Sequence, residues 1–240
     1  MTDINNQYAE AEAIARKLEP FSCGAFIVGG VAYDPGAFQR RTELEVIVVV
    51  PNFRNTNFVA IENALGRKLN QHAIEHASRG RMGVFDTHYN AEGGFATGVY
   101  LRSDEAHESV CNLGSYERFT DRAGVPRSCR LWGMNGRETV SAEAESVEGG
   151  TIFRHYSVLD KNGELWLGFP ALNILMTPTI LTGEDFLQSS FDTFNANLRT
   201  KIRERYGEDN SAASLVNCIP PRLADSVPDT LKDELRGFLD

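Results

Sequence analysis

The strongest feature of the hydrophobic pattern is an apolar run, Val46–Val50, that follows the segment Glu43-Leu44-Glu45. Five consecutive β-branched residues without polar alternation predict a strand that is buried on both faces. A second apolar stretch, over residues 21–28, predicts a strand that ends at Gly29-Gly30. Side chains two residues apart in a strand point the same way, so Glu43 and Glu45 are expected to share a face.

Apolar residues at helical spacing predict helices over residues 5–18 and over residues 58–78. From residue 170 onward the pattern is helical, with a long helix beginning near Glu184 and a short one from Asp229. The sequence therefore predicts helices before and after the central strand, and a helical C-terminal part.

Two further segments show the shorter period of strands. Residues 82–89 and 95–102 flank a glycine-containing turn and predict a hairpin, and this region is expected to hold the strand beside the central one. Residues 138–169 alternate between small apolar and polar positions around turns at Gly149-Gly150 and 160–163, which predicts a β-meander. Residues 103–123 are expected to be loop or helix.

Together these elements predict an α+β fold with two parts. Residues 1–169 are expected to form a mixed sheet with flanking helices and the β-meander, and residues 170–240 a helical region. A chain of 240 residues with 42% hydrophobic residues has enough apolar side chains for a substantial core.

The acid pair at the start of the central strand is a candidate metal site. Two carboxylates on one strand face repel each other, and each loses hydration if it is partly buried. A divalent cation such as Mg²⁺ relieves both costs, because it prefers hard oxygen ligands. Glu43 and Glu45 are therefore the candidate metal ligands.

The arrangement of Gly29-Gly30, then Val31-Ala32, then Glu43 and Glu45 at the head of a hydrophobic strand resembles the nucleotidyltransferase superfamily related to DNA polymerase β. The resemblance implies a nucleotidyltransferase-like mixed sheet. It also implies that Gly29 and Gly30 receive the nucleotide phosphates and that the two acids hold Mg²⁺ or Mn²⁺.

The sequence departs from that family in two places. The family usually carries aspartate in the acid pair, whereas this chain carries Glu43 and Glu45, and no clear match exists for the third acid. Asp86 is the nearest candidate for it, although an ordinary exposed strand residue fits that position equally well. Glu143 or Glu145 would qualify if their strand lay near Glu43.

The resemblance implies a metal-dependent nucleotidyltransferase that moves a nucleoside monophosphate from an NTP to an unidentified acceptor, either a small molecule or a protein. Arg40 or Arg41 would stabilise the leaving pyrophosphate. One alternative is a catalytically degenerate protein of the same fold that binds nucleotides or a partner; another is an α+β domain of a different kind. The first two require Glu43 and Glu45 to lie opposite the Gly29-Gly30 turn.

Charge, hydropathy and cysteine usage limit the classes of partner and the cellular compartment that we expect for this chain. With 24 Lys and Arg against 33 Asp and Glu, the net charge of −9 disfavours nucleic acid, whose binding depends on phosphate neutralisation. No apolar run approaches the roughly 20 residues that span a bilayer. Because the N-terminus lacks a secretory pattern and the four cysteines form no CxxC pair, we expect a cytoplasmic protein without a zinc site or disulfides.

Overall fold

The structure is a computed structural model that describes residues 4–29, 43–90, 96–121, 142–156, 165, 167–176, 178–207, 218–219 and 229–236. Its centre is an eight-stranded mixed sheet with the strand order β6-β7-β5-β3-β4-β2-β1-β8. The strands are β1 (Gly24–Val28), β2 (Glu43–Val50), β3 (Val84–Asn90), β4 (Ala96–Ser103), β5 (Ser115–Asp121), β6 (Ala142–Val147), β7 (Gly150–Tyr156) and β8 (Thr179–Thr182).

Helices cover both faces of this sheet. They are α1 (Ile4–Leu18), α2 (Phe58–Leu65), α3 (Gln71–Ser78), α4 (Asp104–Cys111), α5 (Phe169–Leu175), α6 (Glu184–Tyr206) and α7 (Asp229–Arg236), and a 3₁₀ turn (Glu19–Phe21) follows α1. Buried side chains of α1 to α3 pack on one face, and those of α4 to α7 pack on the other. The mixed α and β composition that the sequence predicts is confirmed.

The central strand β2 is buried on both faces, as its pattern predicts. Val46, Val48 and Val50 pack toward α1 and α2, whereas Ile47 and Val49 pack toward α6. β2 pairs with β1 in antiparallel orientation and with β4 in parallel orientation. Apolar side chains on alternating positions thus join two helical layers through one strand.

Both predicted hairpins that fall on described residues are present. β3 and β4 pair in antiparallel register, and β4 is the strand of this region that lies beside β2. β6 and β7 turn at Glu148-Gly149, where Gly149 has a φ of +88°. The predicted third strand of the meander is wrong at its end, because Gly168 caps a helix that begins at Phe169. Most of residues 157–166 lie outside the described part.

Three other predictions need correction. The helix expected over residues 58–78 is two helices, because Gly66 ends α2 in the left-handed conformation and the Asn70 side chain caps α3. Residues 115–121 form strand β5 where loop or helix was expected, and β8 was not predicted at all. The first strand begins at Gly24, since the chain up to Phe21 continues as a 3₁₀ turn.

Residues beyond 170 contribute one strand to the sheet and helices that pack on one of its faces. β8 pairs with β1, and α6 packs its buried side chains on the same face of the sheet as α4. The ring centroids of Phe26 in β1 and Phe191 in α6 lie 5.2 Å apart with an edge-to-face arrangement. The predicted helical region therefore shares the sheet and one of the two core layers with the preceding residues.

Two expectations from composition concern thiols and membranes. Among the described residues, Cys23, Cys111 and Cys218 form no disulfide bond, and Cys129 lies outside the described part of the chain. Among the helices that the structure describes, none combines the length and the apolar character that a bilayer crossing requires.

A buried carboxylate stabilises the connection between α2 and α3. Glu62 is only 4% exposed, and its oxygens accept hydrogen bonds from Lys68 Nζ at 2.8 Å and from the Leu69 backbone N–H at 3.0 Å. Gln71 Nε2 adds a third bond at 3.3 Å. The Lys68 bond in particular lowers the pKa of Glu62 below its usual 4.5, and the Leu69 and Gln71 bonds act in the same direction.

We expect Glu62→Gln to lower the free energy of unfolding at pH 7 by about 1–2 kcal/mol, since charge-assisted bonds are lost. A lowered native pKa stabilises the fold above the unfolded pKa, and this contribution disappears as the pH falls through the native pKa. Urea unfolding between pH 7 and pH 3 should therefore show the difference between the proteins shrinking below about pH 4.5. A constant difference at all pH values would contradict this assignment.

Candidate functional site

The predicted juxtaposition of the glycine turn and the acid pair is present for the residues that the structure describes. The antiparallel register of β1 and β2 pairs Val28 with Glu45, so Gly29 follows directly beside that glutamate. Gly29 has a φ of +92°, and a Cβ at this position would lie 3.1 Å from Glu45 Oε2. Both the backbone conformation and the close carboxylate therefore require glycine here.

The neighbouring candidates fall outside the described part of the chain. Gly30, Arg40 and Arg41 lie in the segment 30–42, together with Val31-Ala32 of the resemblance. Glu43 is the first residue of β2, two positions before Glu45, and its side chain is likewise not among those described. Their predicted roles stay predictions.

Glu45 is oriented by a tyrosine on the neighbouring strand. Its carboxylate is half-buried, and Tyr100 of β4 donates its hydroxyl to Glu45 Oε1 over 3.3 Å. β2 and β4 run parallel, with Ile47 in register with Tyr100, so the long phenol reaches back along the sheet to the acid. The hydroxyl thus fixes one carboxylate oxygen while Oε2 faces the Gly29 backbone.

Asp86 lies on the next strand and is held in an ion pair. Arg118 of β5 directs Nε to Asp86 Oδ1 at 3.0 Å and to Oδ2 at 2.9 Å, and its Nη2 also donates to Oδ2. The side chains of Asp86 and Arg118 are only 7% and 13% exposed. The Arg118 guanidinium lies 4.9 Å from the centroid of the Tyr100 ring. Glu45, Tyr100, Arg118 and Asp86 therefore form one polar row across four strands.

Among the side chains that the structure describes, three acids do not come together beside Glu45. Asp86 lies on β3, which is separated from β2 by β4, and it is in register with Tyr100 of β4. Its side chain faces Arg118. Within the described residues, no group of three or more His, Cys, Asp or Glu side chains is placed to hold a metal ion. Whether Asp86 serves as the third acid stays a prediction.

The alternative candidates on β6 are remote from the acid pair. β6 is the edge strand at the far end of the sheet, with β7, β5, β3 and β4 between it and β2. Glu145 is exposed and forms an ion pair with Arg154 at 3.0 Å. The condition that this strand lie near Glu43 is therefore not met, and Glu145 is a surface residue of the sheet edge.

A second polar cluster lies near the C-terminal end of β4, away from Glu45. Arg102 is only 3% exposed, its guanidinium carbon is 5.5 Å from the Tyr116 ring centroid, and Nη1 is 3.5 Å from Nδ1 of His107. The ring of His155 stacks on Tyr116 with centroids 5.2 Å apart. Burial, aided by the nearby arginines, lowers the pKa of both histidines to about 3, so both are neutral.

A cleft of about 210 Å³ opens beside this cluster. It lies where β2 and β4 end, and its lining includes Asn52, Arg81, Ser103, Glu105, Ser109 and Tyr116. Asn52 Nδ2 donates to Glu105 across the cleft, and Ser109 donates to the Ser115 carbonyl at 2.7 Å. The cleft therefore carries polar side chains, and one of its lining residues is Tyr116, whose ring lies against Arg102.

Comparison with family models, with curated proteins and with solved structures gave no match.

Sequence reasoning missed Tyr100, Arg102, Tyr116 and Arg118. One signal was present: the order Tyr-x-Arg occurs at residues 100–102 and again at residues 116–118. In a strand this spacing places the tyrosine and the arginine on one face. Two such pairs on different strands indicate a buried polar face that single-strand patterns do not reveal.

Proposed function

We propose that the chain is a metal-dependent nucleotidyltransferase that moves a nucleoside monophosphate from an NTP to a small-molecule or protein acceptor. The observation that supports it is the position of Gly29 directly beside the Glu45 carboxylate, at the end of β1 and the start of β2. Without a side chain at Gly29, a phosphate group has access to the backbone next to a metal-binding acid.

The described part of the site fits a hard divalent cation. Glu45 offers carboxylate oxygens, is half-buried rather than enclosed, and is oriented by Tyr100. Glu43 and Glu45 would hold Mg²⁺ or Mn²⁺, which supplies charge neutralisation at the phosphates and lowers the pKa of a coordinated hydroxyl. Tyr100 keeps Glu45 in one orientation, and the resemblance assigns Arg40 or Arg41 to the leaving pyrophosphate.

A second candidate is a protein of this fold that binds nucleotides without transferring them. The observation that favours it is the ion pair of Asp86 with Arg118, which neutralises the acid expected to complete the catalytic set. No other described acid takes that place beside Glu45. The two candidates share the nucleotide site and differ in whether the α-phosphate is transferred.

Calorimetric titration with ATP, GTP, CTP and UTP in the presence of Mg²⁺ tests both candidates. We expect one of them to bind the native protein and the affinity to fall about tenfold or more in Glu45→Gln and in Glu43→Gln/Glu45→Gln. Glu145→Gln is the matched control, because it removes an equivalent charge from the exposed sheet edge, and it should bind normally.

Release of pyrophosphate then separates the candidates. We expect release when small acceptors with hydroxyl or amino groups are added to the nucleotide complex. Metal-dependent binding without any release would favour the non-catalytic candidate. If no nucleotide binds, or if binding survives in the double variant, the proposal is wrong.

A further inference from the structure

Arg102 is a buried cation for which the described residues supply no acidic partner. It is 3% exposed, and among the described residues no carboxylate forms an ion pair with it. Its contacts include the ring and a side-chain hydrogen bond of Tyr116, the His107 nitrogen at 3.5 Å and the nearby Cys111 thiol, whereas its buried Nε has no hydrogen-bond partner among the described residues. The guanidinium group thus has an unused N–H donor inside the protein.

The neighbouring groups do not supply the missing negative charge. The positive charge of Arg118 is close enough to repel that of Arg102. Asp86 neutralises Arg118 in an ion pair, so the positive charge of Arg102 is not neutralised by this pair. His107 and His155 are neutral, and Cys111 is a thiol because burial raises its pKa to about 11. Burying a charge without a partner is strongly unfavourable, so an anion near this guanidinium would stabilise the fold.

We propose that Arg102 binds an oxyanion group, a carboxylate or a phosphate, at the inner end of the cleft that Tyr116 lines. The planar guanidinium presents its donors as a fork that matches two oxygens of such a group. The cleft lies next to this guanidinium, since Tyr116 is one of its lining residues and the Tyr116 ring lies against Arg102.

This site is separate from the proposed nucleotide site. Arg102 is in register with Val49, near the end of β2, whereas Glu45 lies four residues earlier on that strand, about 13 Å away at the rise of an extended strand. The polar row of Glu45 and Tyr100 runs toward the start of β2. Loss of one site therefore leaves the other intact.

The test measures the melting temperature of the full chain at constant ionic strength in chloride, phosphate, acetate or ATP without Mg²⁺. We expect a saturable rise in at least one oxyanion for the native protein and none for Arg102→Met. In chloride alone, Arg102→Met should melt at or above the native temperature, because an unpaired buried charge is replaced by an apolar side chain of similar length. The four arms identify which oxyanion binds.

Arg154→Met is the control, since Arg154 is exposed and paired with Glu117 and Glu145. It should keep the saturable rise. A rise that does not saturate, or that persists in Arg102→Met, would indicate an adventitious ion only and would overturn the proposal. So would the absence of any rise. Glu45→Gln should retain the response, which separates this site from the nucleotide site.

A measurement on the native protein covers the case in which Arg102→Met does not fold. In protein labelled with ¹⁵N-arginine, one Nε–H resonance protected from solvent exchange should shift saturably with the active oxyanion. Arg102→Lys keeps the charge without the fork, and its affinity should fall about tenfold or more. Titration without any shift of a protected Nε–H would contradict the proposal.

Discussion

Asp86→Asn is expected to lower the free energy of unfolding by about 3–5 kcal/mol, because it leaves the Arg118 charge buried without its acid. The pair is nearly enclosed, with side-chain exposures of 7% and 13%. The buried positive charge of Arg102 repels that of Arg118, and this repulsion increases the loss of stability when Asp86 is neutral. Urea unfolding followed by circular dichroism measures the loss.

Two comparisons show whether the pair itself is responsible. Asp86→Asn/Arg118→Met removes both charges and should recover most of the loss, since replacing a buried pair by apolar groups is often close to neutral. Glu117→Gln breaks a more exposed pair with Arg154 and should cost at most about 1 kcal/mol. A loss below about 1 kcal/mol for Asp86→Asn would contradict a structural role for the pair.

The same variant addresses the role of Asp86 at the nucleotide site. If Asp86 serves only Arg118, the folded Asp86→Asn protein should bind nucleotide and Mg²⁺ with native affinity. If it completes the metal site, affinity should fall about tenfold or more, as for Glu45→Gln. Titration under conditions where the variant is fully folded separates these outcomes.

Gly183→Ala is expected to lower the free energy of unfolding by about 3 kcal/mol, from two additive causes. Gly183 has a φ of +71°, a conformation that an L side chain adopts only with strain. An added Cβ would lie 2.2 Å from the Cys23 carbonyl oxygen and 2.6 Å from the Gly24 Cα. Because both are backbone atoms of the segment leading into β1, the clash is relieved only by moving that strand or the start of α6.

Gly66→Ala isolates the conformational part of this effect. Gly66 has a φ of +69°, and nothing lies within 4 Å of an added Cβ. We expect a loss of about 1 kcal/mol for Gly66→Ala, measured by the same urea unfolding. Equal losses for the two variants would show that the close approach of Gly183 to Cys23 has no energetic weight.

Those parts of the fold that depend on residues close together in the sequence could be predicted. β2 is an uninterrupted run of β-branched residues, and the β3–β4 and β6–β7 hairpins alternate around glycine turns. The position of Glu45 beside Gly29 was expected only from the resemblance of the glycine pair and the acid pair to the nucleotidyltransferase superfamily.

Elements that depend on distant partners could not be predicted. β8 has four residues between Pro178 and Gly183, and among the described strands its sheet neighbour is β1. β5 carries polar residues on both faces, and Arg118 is nearly enclosed there only because other strands provide Asp86 and Tyr100 as partners. Tertiary contact, rather than local propensity, decides both strands.

The break between α2 and α3 had local signals that the hydrophobic pattern concealed. The apolar residues Phe58, Ile61, Leu65, Leu69 and Ala73 continue at helical spacing across the break. Gly66 and Asn70 mark a helix end and a helix start, and these residues decide the backbone. Capping residues therefore outweigh periodicity when the connection is short.

The pairing of β1 with β8 has a consequence for how the chain is made. Ala25 of β1 pairs with Thr182, in the last third of the chain, so the outer edge of β1 gains its partner only after most residues have been synthesised. Until then an apolar strand presents unpaired backbone groups, the arrangement that invites association between nascent chains. Because β8 is synthesised late, its four residues protect the edge of β1 only near the end of synthesis. They therefore affect the ribosome-bound intermediate as well as the stability of the finished fold.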